Sequence, residues 1–234
     1  MNPLLPAVLS TTAGAVDVIG FLALGGLFTA HITGNLVVLA THYVTGDFGE
    51  IGPLLAAPVF ILVLGAVMLV AIGFEKTRYG CRRALLFLQA VLLAACLAVG
   101  VGFGPFADAD GPIPVLVGML AVAAMATQNA LVRLALPGVP STAVMTTNIT
   151  QFTVDLATIV RGVSEPEELT RARWRANITF PCMLGFLAGC AWGAVLEIHF
   201  GLWALALPAL LATLALTLDV LNRDRATSSS VATA

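Results

Sequence analysis

The sequence predicts an all-α membrane protein with six transmembrane helices and two short re-entrant half-helices, arranged as two inverted repeats. Composition is the first reason: the 234 residues are 59% hydrophobic and only 10% charged, whereas soluble domains carry about 25% charged residues. The second reason is a series of apolar stretches long enough to cross a bilayer. The third is a polar motif that occurs once in each half of the chain.

Six apolar stretches reach the length of about 20 residues that a helix needs to cross the hydrocarbon core. They are 5–28, 54–75, 84–104, 112–136, 176–197 and 201–221. Two further stretches, 33–45 and 142–160, are shorter or more polar, and each follows one copy of the polar motif. We therefore predict six spans and two half-helices that enter the membrane and return.

The basic residues predict the orientation, because cytoplasmic loops are enriched in Lys and Arg. The loop 75–83 is rich in basic residues and is assigned to the cytoplasm, whereas the loop 105–112 carries only acidic charge and is assigned outside. If 142–160 crossed fully, the arginine-rich loop 161–175 would lie outside. A re-entrant segment keeps that loop cytoplasmic, so we expect both termini in the cytoplasm.

Matching residues at corresponding places predict the two repeats. Asn35 corresponds to Asn148, and Pro58 and Pro181 open matching spans. Each half then has an odd number of spans, so the two halves would run in opposite directions, as in the inverted repeats of many transporters. The predicted division is a first repeat at 1–106, a second repeat at 107–222 and a disordered cytoplasmic tail at 223–234.

Asp17 is the first candidate site residue, because it lies near the middle of the first span. A carboxylate there costs about 2.5–3.5 kcal/mol on insertion scales and normally faces a polar interior or a partner. One interpretation is a protonatable or solute-binding group on a transport path. The other is a structural tether, either to Arg133 or to the unpaired backbone of a broken helix.

The two motif copies read as helix starts. Thr33 and Asn35 are N-capping residue types, and Gly34 permits close backbone approach; Thr146 and Asn148 repeat the pattern. A helix start at membrane depth offers free N–H groups and the positive end of a dipole, which suit an anion or a polar solute. The alternative is an ordinary cap at a membrane-interface turn.

The remaining candidates are polar residues near the motifs. Gln128, Asn129 and Arg133 share one face of a span. Arg133 could bind an anion, pair with the buried aspartate of the first span or anchor the cytoplasmic helix end. His31 could relay protons or be a hydrogen-bonded histidine, and Asp155 could line a cavity or lie at the wet end of its segment.

Several classes of function are excluded by the absence of their motifs. There is no HExxH sequence, nucleophile elbow or catalytic pair of carboxylates, so no enzyme and no catalytic residue is predicted. The four cysteines form no CxxC and no Cys/His cluster, so neither a metal site nor a cofactor is expected. A net charge of −2 without a basic tract argues against nucleic acid as a partner.

Taken together, the motif residues resemble the YoaK-like family of bacterial inner-membrane proteins, which carry a domain of unknown function. The resemblance covers nearly the whole chain and is carried by 14–17, Phe28, 33–35, 128–130 and Arg133. It implies six predicted spans and a multi-pass protein of the bacterial plasma (inner) membrane. Thr147 stands where the first copy has glycine, which is a departure within the repeat.

The sequence leaves two functions open. The first is a small-solute transporter or channel-like permease, with a central polar site between inverted repeats formed by Asp17, Asn35, Asn129 and Asn148. The second is a structural or regulatory membrane protein whose polar motifs tie helices together. The expected partners are the lipid bilayer and an unidentified small solute, and the small-residue faces around Gly65 and Gly189 could form a homodimer.

Overall fold

The fold consists of helices throughout the part of the chain that the structure, a computed structural model, describes: residues 3–45, 51–73, 78–162 and 165–232. The predicted all-α class is confirmed, because no strand occurs among these residues. In order, the helices are α1 (Leu4–Ala23), α2 (Ile32–Thr45), α3 (Ile51–Gly73), α4 (Arg78–Phe103), α5 (Pro112–Ala135), α6 (Met145–Arg161), α7 (Pro166–Phe200) and α8 (Ala206–Ala232).

Five stretches of the described chain are long and apolar enough to cross a membrane. They are Leu4–Ala23, Ile51–Ala71, Cys81–Phe103, Pro112–Ala135 and Pro166–Leu221. The last has 56 residues and contains α7 and the first part of α8, separated by a 3₁₀ turn that begins at Gly201 with φ +56°. Glycine adopts a positive φ readily because it has no Cβ. Helix α7 ends at this turn, so the stretch contributes two of the six predicted spans.

Two element boundaries differ from the sequence prediction. Helix α7 has 35 residues and begins ten residues before the predicted span 176–197. At about 1.5 Å per residue its length is roughly 52 Å, well beyond a hydrocarbon core of about 30 Å. Helix α8 is assigned through Ala232, so the described backbone is helical where a disordered tail was predicted at 223–234.

Helix α1 sets the directions of its neighbours. It runs antiparallel to α5, because Gln128 contacts Leu9 near the start of α1, whereas Gly118 lies beside Leu27, just after its end. It runs parallel to α7, in which Gly185 approaches Ala7 and Gly193 approaches Ala15. The first helix of the second half therefore points opposite to the first helix of the chain.

The remaining long helices follow from contacts with these. Helix α4 is antiparallel to α5, since Gln89 meets Gln128 and the Cys96 thiol donates to the Val117 carbonyl at 3.4 Å. It is also antiparallel to α8, as the ion pair of Arg82 with Asp219 lies near its start. Helix α3 begins where α1 ends and leads to the start of α4. Thus α1, α4 and α7 run one way, and α3, α5 and α8 the other.

The described arginine side chains lie at one end of this bundle, which we call the basic end: the end at which α1 begins. Arg82 and Arg83 lie at the start of α4, Arg133 at the end of α5, and Arg175 in the first part of α7. The opposite end carries Asp108, Asp110 and the start of α3, where the Ile51 amide donates to Asp110 at 2.6 Å.

Small residues allow α1 and α7 to pack closely. A Cβ on Gly185 would lie 2.6 Å from the Ala7 carbonyl oxygen, and one on Gly189 would overlap the Thr11 carbonyl. This corrects one sequence expectation: the face around Gly189 is covered within the chain and is not free for a homodimer. By contrast, Gly65 on α3 has no atom within 4 Å of such a Cβ, so its face stays open.

Candidate functional site

Asp17 holds a loop that returns toward the middle of the bundle. This first loop, 24–31, leaves α1 through two glycines with positive φ and places the amides of Thr29 and Ala30 2.8 Å from Asp17 Oδ1. Asp17 lies about 9 Å before the end of α1 at 1.5 Å per residue. Helix α2 therefore begins at the depth of Asp17, below the end of α1.

His31 completes the coordination of this carboxylate. Its Nδ1 lies 2.5 Å from Asp17 Oδ2, and its side chain is about one third exposed. The ring also contacts Phe186 of α7, with centroids 5.5 Å apart. Of the alternatives open from sequence, the structure shows Asp17 bound to His31 and to loop backbone, and not to Arg133.

Asn35 fixes the same loop from the other side. Its amide group donates to the Phe28 carbonyl at 2.7 Å and accepts from the Phe28 amide at 2.9 Å. Asn35 is fully buried, so both its polar atoms are satisfied within the protein. Gly34 lies under the Phe28 ring, whose Cδ2 would stand 2.9 Å from an added Cβ, while Thr33 is exposed.

Gln128 performs in the second half the task that Asp17 performs in the first. Its Nε2 donates to Thr142 Oγ1 at 2.8 Å and to the Leu9 carbonyl at 3.0 Å. Its Oε1 accepts from Gln89 of α4 at 2.6 Å. The second loop, 136–144, is thereby held about 10 Å before the end of α5, by neutral amides where the first loop is held by a carboxylate.

Asn148 repeats the role of Asn35. Its Nδ2 donates to the Ser141 carbonyl at 2.6 Å, seven residues earlier in the chain, the same separation as between Asn35 and Phe28. Asn148 is also buried. The two asparagines therefore each hold a loop through hydrogen bonds. The sequence had suggested that both amide groups face one shared central site, and the structure does not show this.

Three other polar residues line a cavity of about 420 Å³ at the basic end. Asn129, Arg133 and Thr147 contribute to it, together with Ser141 and Thr142 of the second loop. The apolar part of the wall comes from residues of α5 and of the loop itself: Val132, Leu136, Pro137, Gly138, Val139 and Val144. Asn129 donates to the Met125 carbonyl of its own helix at 2.9 Å.

The predicted site residues thus separate into groups. Asp17, His31 and the asparagine of the first copy surround the first loop, whereas Asn129 and Arg133 border the cavity beside the second loop. Thr146 is exposed at the start of α6. Asp155 is fully buried and receives the Arg175 guanidinium, with Nη2 2.5 Å from Oδ1, which ties α6 to α7.

Some buried polar residues were not identified from sequence. Gln89 is fully buried in α4, and Asp219 of α8 forms ion pairs with Arg82 and Arg83. Both lie in stretches predicted as spans, so each carries the signal that identified Asp17: a polar side chain in an apolar segment. Among the described residues, no group of three His, Cys, Asp or Glu side chains could hold a metal ion.

Comparisons with known proteins identify a family and one transmembrane relative. A family model described as a protein of unknown function (DUF1275) matches residues 5–218. The UPF0700 transmembrane protein YoaK of Bacillus subtilis (strain 168) is 61% identical over 33 residues, which are 14% of this chain and 15% of that protein. No solved structure matches the chain.

Proposed function

The chain belongs to the DUF1275 family of proteins of unknown function, and from its geometry we propose that this membrane protein is a small-solute permease. The solute would bind in the cavity bordered by Asn129, Arg133 and Thr147, beside the second loop. That cavity is the observation that carries the proposal. The proposal assigns no catalytic residue and no cofactor.

The arrangement of the helices supports the proposal. The three long helices of the first half run opposite to the corresponding three of the second half, as expected for inverted repeats, and in transporters such repeats place discontinuous helices around a binding site. Helices α2 and α6 both begin beside a loop at membrane depth. Irregular backbone at that depth is tolerated where it is buried in protein or lines a cavity.

The proposed orientation places the basic end in the cytoplasm of a bacterial inner membrane. Cytoplasmic segments are enriched in Lys and Arg, and the described arginine side chains lie at that end. Both termini would then be cytoplasmic, and the cavity would open toward the cytoplasm. A homodimer through the open face around Gly65 is part of the proposal as a further partner.

One observation favours the second candidate function, a structural or regulatory membrane protein. Asp17, Asn35, Gln128 and Asn148 all direct polar atoms to loops of the same chain. Under this alternative the motifs hold helices together and no solute crosses. Arg133 distinguishes the two functions, because it borders the cavity and, among the described residues, forms no hydrogen bond that holds a loop.

Uptake by liposomes tests the permease directly. The purified protein would be reconstituted and offered radiolabelled glycerol, lactamide, lactate and glycerol 3-phosphate. We expect at least one solute to enter at least about tenfold faster than into protein-free liposomes. The variant Val144→Trp should abolish this uptake, because Val144 lines the cavity and an indole would fill much of it.

The matched control is Val160→Trp on α6, because the Val160 side chain is 77% exposed and does not line the cavity. It should retain uptake, and both variants should elute as the parent protein does in gel filtration. A well-folded protein that admits none of the four solutes would contradict the permease and favour the structural alternative. If Val144→Trp took up solute as fast as Val160→Trp, the solute would not pass through this cavity.

A further inference from the structure

The two copies of the loop differ at the positions that border the cavity. Residues 28–35 align without gaps with 141–148, so Phe28 corresponds to Ser141, His31 to Val144, and Gly34 to Thr147. All three second-copy residues of these pairs line the cavity. The two loops can therefore be compared directly, because the space beside the first is filled and the space beside the second is open.

Aromatic rings fill the space in the first copy. Phe28 lies against Phe21, with centroids 4.8 Å apart, and 6.2 Å from the ring of His31. The residue at position 34 must be small, because an added Cβ would meet the Phe28 ring. The second copy replaces these rings with a hydroxyl at Ser141 and an aliphatic side chain at Val144, which leaves the corresponding volume open.

The open volume is not the result of a poorly fixed loop. The second loop is held by Gln128 through Thr142 and by Asn148 through the Ser141 carbonyl. The Ser141 hydroxyl accepts from the Val144 amide at 2.9 Å as well. The second loop is therefore tied by hydrogen bonds to both of its neighbouring helices, α5 and α6, so these cavity walls are held in place.

The charge within the cavity has one sign. Arg133 is the one charged residue among those that line it, and no carboxylate pairs with it within the described part of the chain. The other arginines with described ion pairs behave differently: Arg175 binds Asp155, and Arg82 binds Asp219. A guanidinium left facing a cavity without an acid is available to an external anion.

We propose that the cavity binds a small organic anion with a single carboxylate, paired with Arg133; this inference rests on the proposed permease function and names its substrate class. Guanidinium and carboxylate match in a planar, two-bond geometry. One cation balances one carboxylate, whereas a phosphate dianion would retain excess charge. The aliphatic wall at Val132 and Val139 suits a short carbon chain, and the Asn129 Oδ1 is an acceptor for a hydroxyl group.

Ligand binding can be measured through the fluorescence of a tryptophan beside the cavity. Trp174 Cη2 lies 3.3 Å from the place of a Cβ on Gly138, which lines the cavity. The other two tryptophans, Trp192 and Trp203, are 62% and 63% exposed, so Trp192→Phe and Trp203→Phe should leave a folded protein with one reporter. Its fluorescence would be titrated in detergent with lactate, lactamide and glycerol 3-phosphate.

We expect lactate to change the fluorescence with saturation and lactamide, its neutral analogue, to bind at least about tenfold more weakly. Arg133→Gln should weaken lactate binding about tenfold or more, as loss of a charge-assisted hydrogen bond predicts. Arg161→Gln is the matched control, since Arg161 is exposed and does not line the cavity. This control should bind lactate as the parent protein does.

Equal binding of lactate and lactamide, or unchanged binding by Arg133→Gln, would overturn the inference. Preference for glycerol 3-phosphate would also overturn it, in favour of a lipid phosphate at this arginine. The liposome assay separates the two proposals. If lactamide or glycerol enters while lactate neither enters nor binds, the anion inference fails and the permease stands; if lactate binds but no solute enters, the permease fails and the binding site stands.

Discussion

Asp17 and Gln128 show how one structural task can be performed by different side chains. Each holds a loop against the helix that precedes it, one through a carboxylate and the other through an amide. The carboxylate accepts from two successive amides and binds His31 as well. In an apolar medium these contacts matter because a backbone amide left without an acceptor costs about 1–3 kcal/mol.

This contact predicts a graded loss of stability at Asp17. Asp17→Asn retains a carbonyl oxygen for the loop amides, whereas Asp17→Ala removes every acceptor. We expect Asp17→Ala to destabilise the protein by about 2–5 kcal/mol and Asp17→Asn by less. Thermal unfolding in detergent would measure both as a fall in Tm, with the exposed Glu167→Gln as the control. An unchanged Tm for Asp17→Ala would contradict the tether.

At the scale of elements, the glycines of α7 determine which surface of the helix can be covered. Gly185, Gly189 and Gly193 face α1 with almost no intervening space, as small residues at helix interfaces in lipid allow. Helix α3 carries the corresponding proline and small residues: with Pro58 aligned to Pro181, Gly189 corresponds to Ala66, which is exposed, and the neighbouring Gly65 is open as well. Matched sequence in the two repeats therefore does not produce matched burial.

This difference predicts opposite outcomes for the same substitution at a glycine of each of the two helices. Gly189→Leu should destabilise the protein by about 1–3 kcal/mol or more, because overpacking displaces α1 from α7. Gly65→Leu should change stability by less than about 0.5 kcal/mol, as exposed substitutions usually do. Tm in detergent would compare the two. If gel filtration shows that Gly65→Leu alone disrupts an oligomer, the homodimer through α3 is supported; similar Tm losses for both variants would contradict the packing difference.

For the whole molecule, the helix directions bring the described arginine side chains to one end. The connection between α4 and α5 lies at the other end and carries Asp108 and Asp110. Each half contains an odd number of long helices, so the second half runs in the opposite direction to the first. Basic helix ends from both halves therefore lie at the same end of the bundle. This separation of charge predicts a defined orientation in a bilayer.

That orientation is tested with reporter fusions. A fluorescent protein attached after Ala234 should fluoresce, and alkaline phosphatase at the same point should be inactive, because both results indicate a cytoplasmic C-terminus. Alkaline phosphatase inserted between Asp108 and Asp110 should be active. An active phosphatase at the C-terminus would contradict the orientation, and if the insertion between Asp108 and Asp110 were active as well, α6 would have to cross the bilayer completely.

The membrane class and the approximate positions of the long helices could be read from the sequence, which also predicts two related halves. These follow from features that are local or periodic: apolar length, the charge at helix ends and the recurrence of asparagine and proline. It also identified Asp17, Asn35, Gln128 and Asn148 as unusual, because a polar side chain in an apolar span needs a partner wherever it lies.

The partners of these polar side chains became known from the packing of the helices. Asp17 binds a loop of its own half and not Arg133, and the two asparagines bind carbonyls seven residues away. The cavity depends on which volumes Phe28 and Ser141 fill once both loops have folded back. The sequence identifies the polar groups that need hydrogen-bond partners. Which partner each group binds depends on distances that are set only when the helices pack.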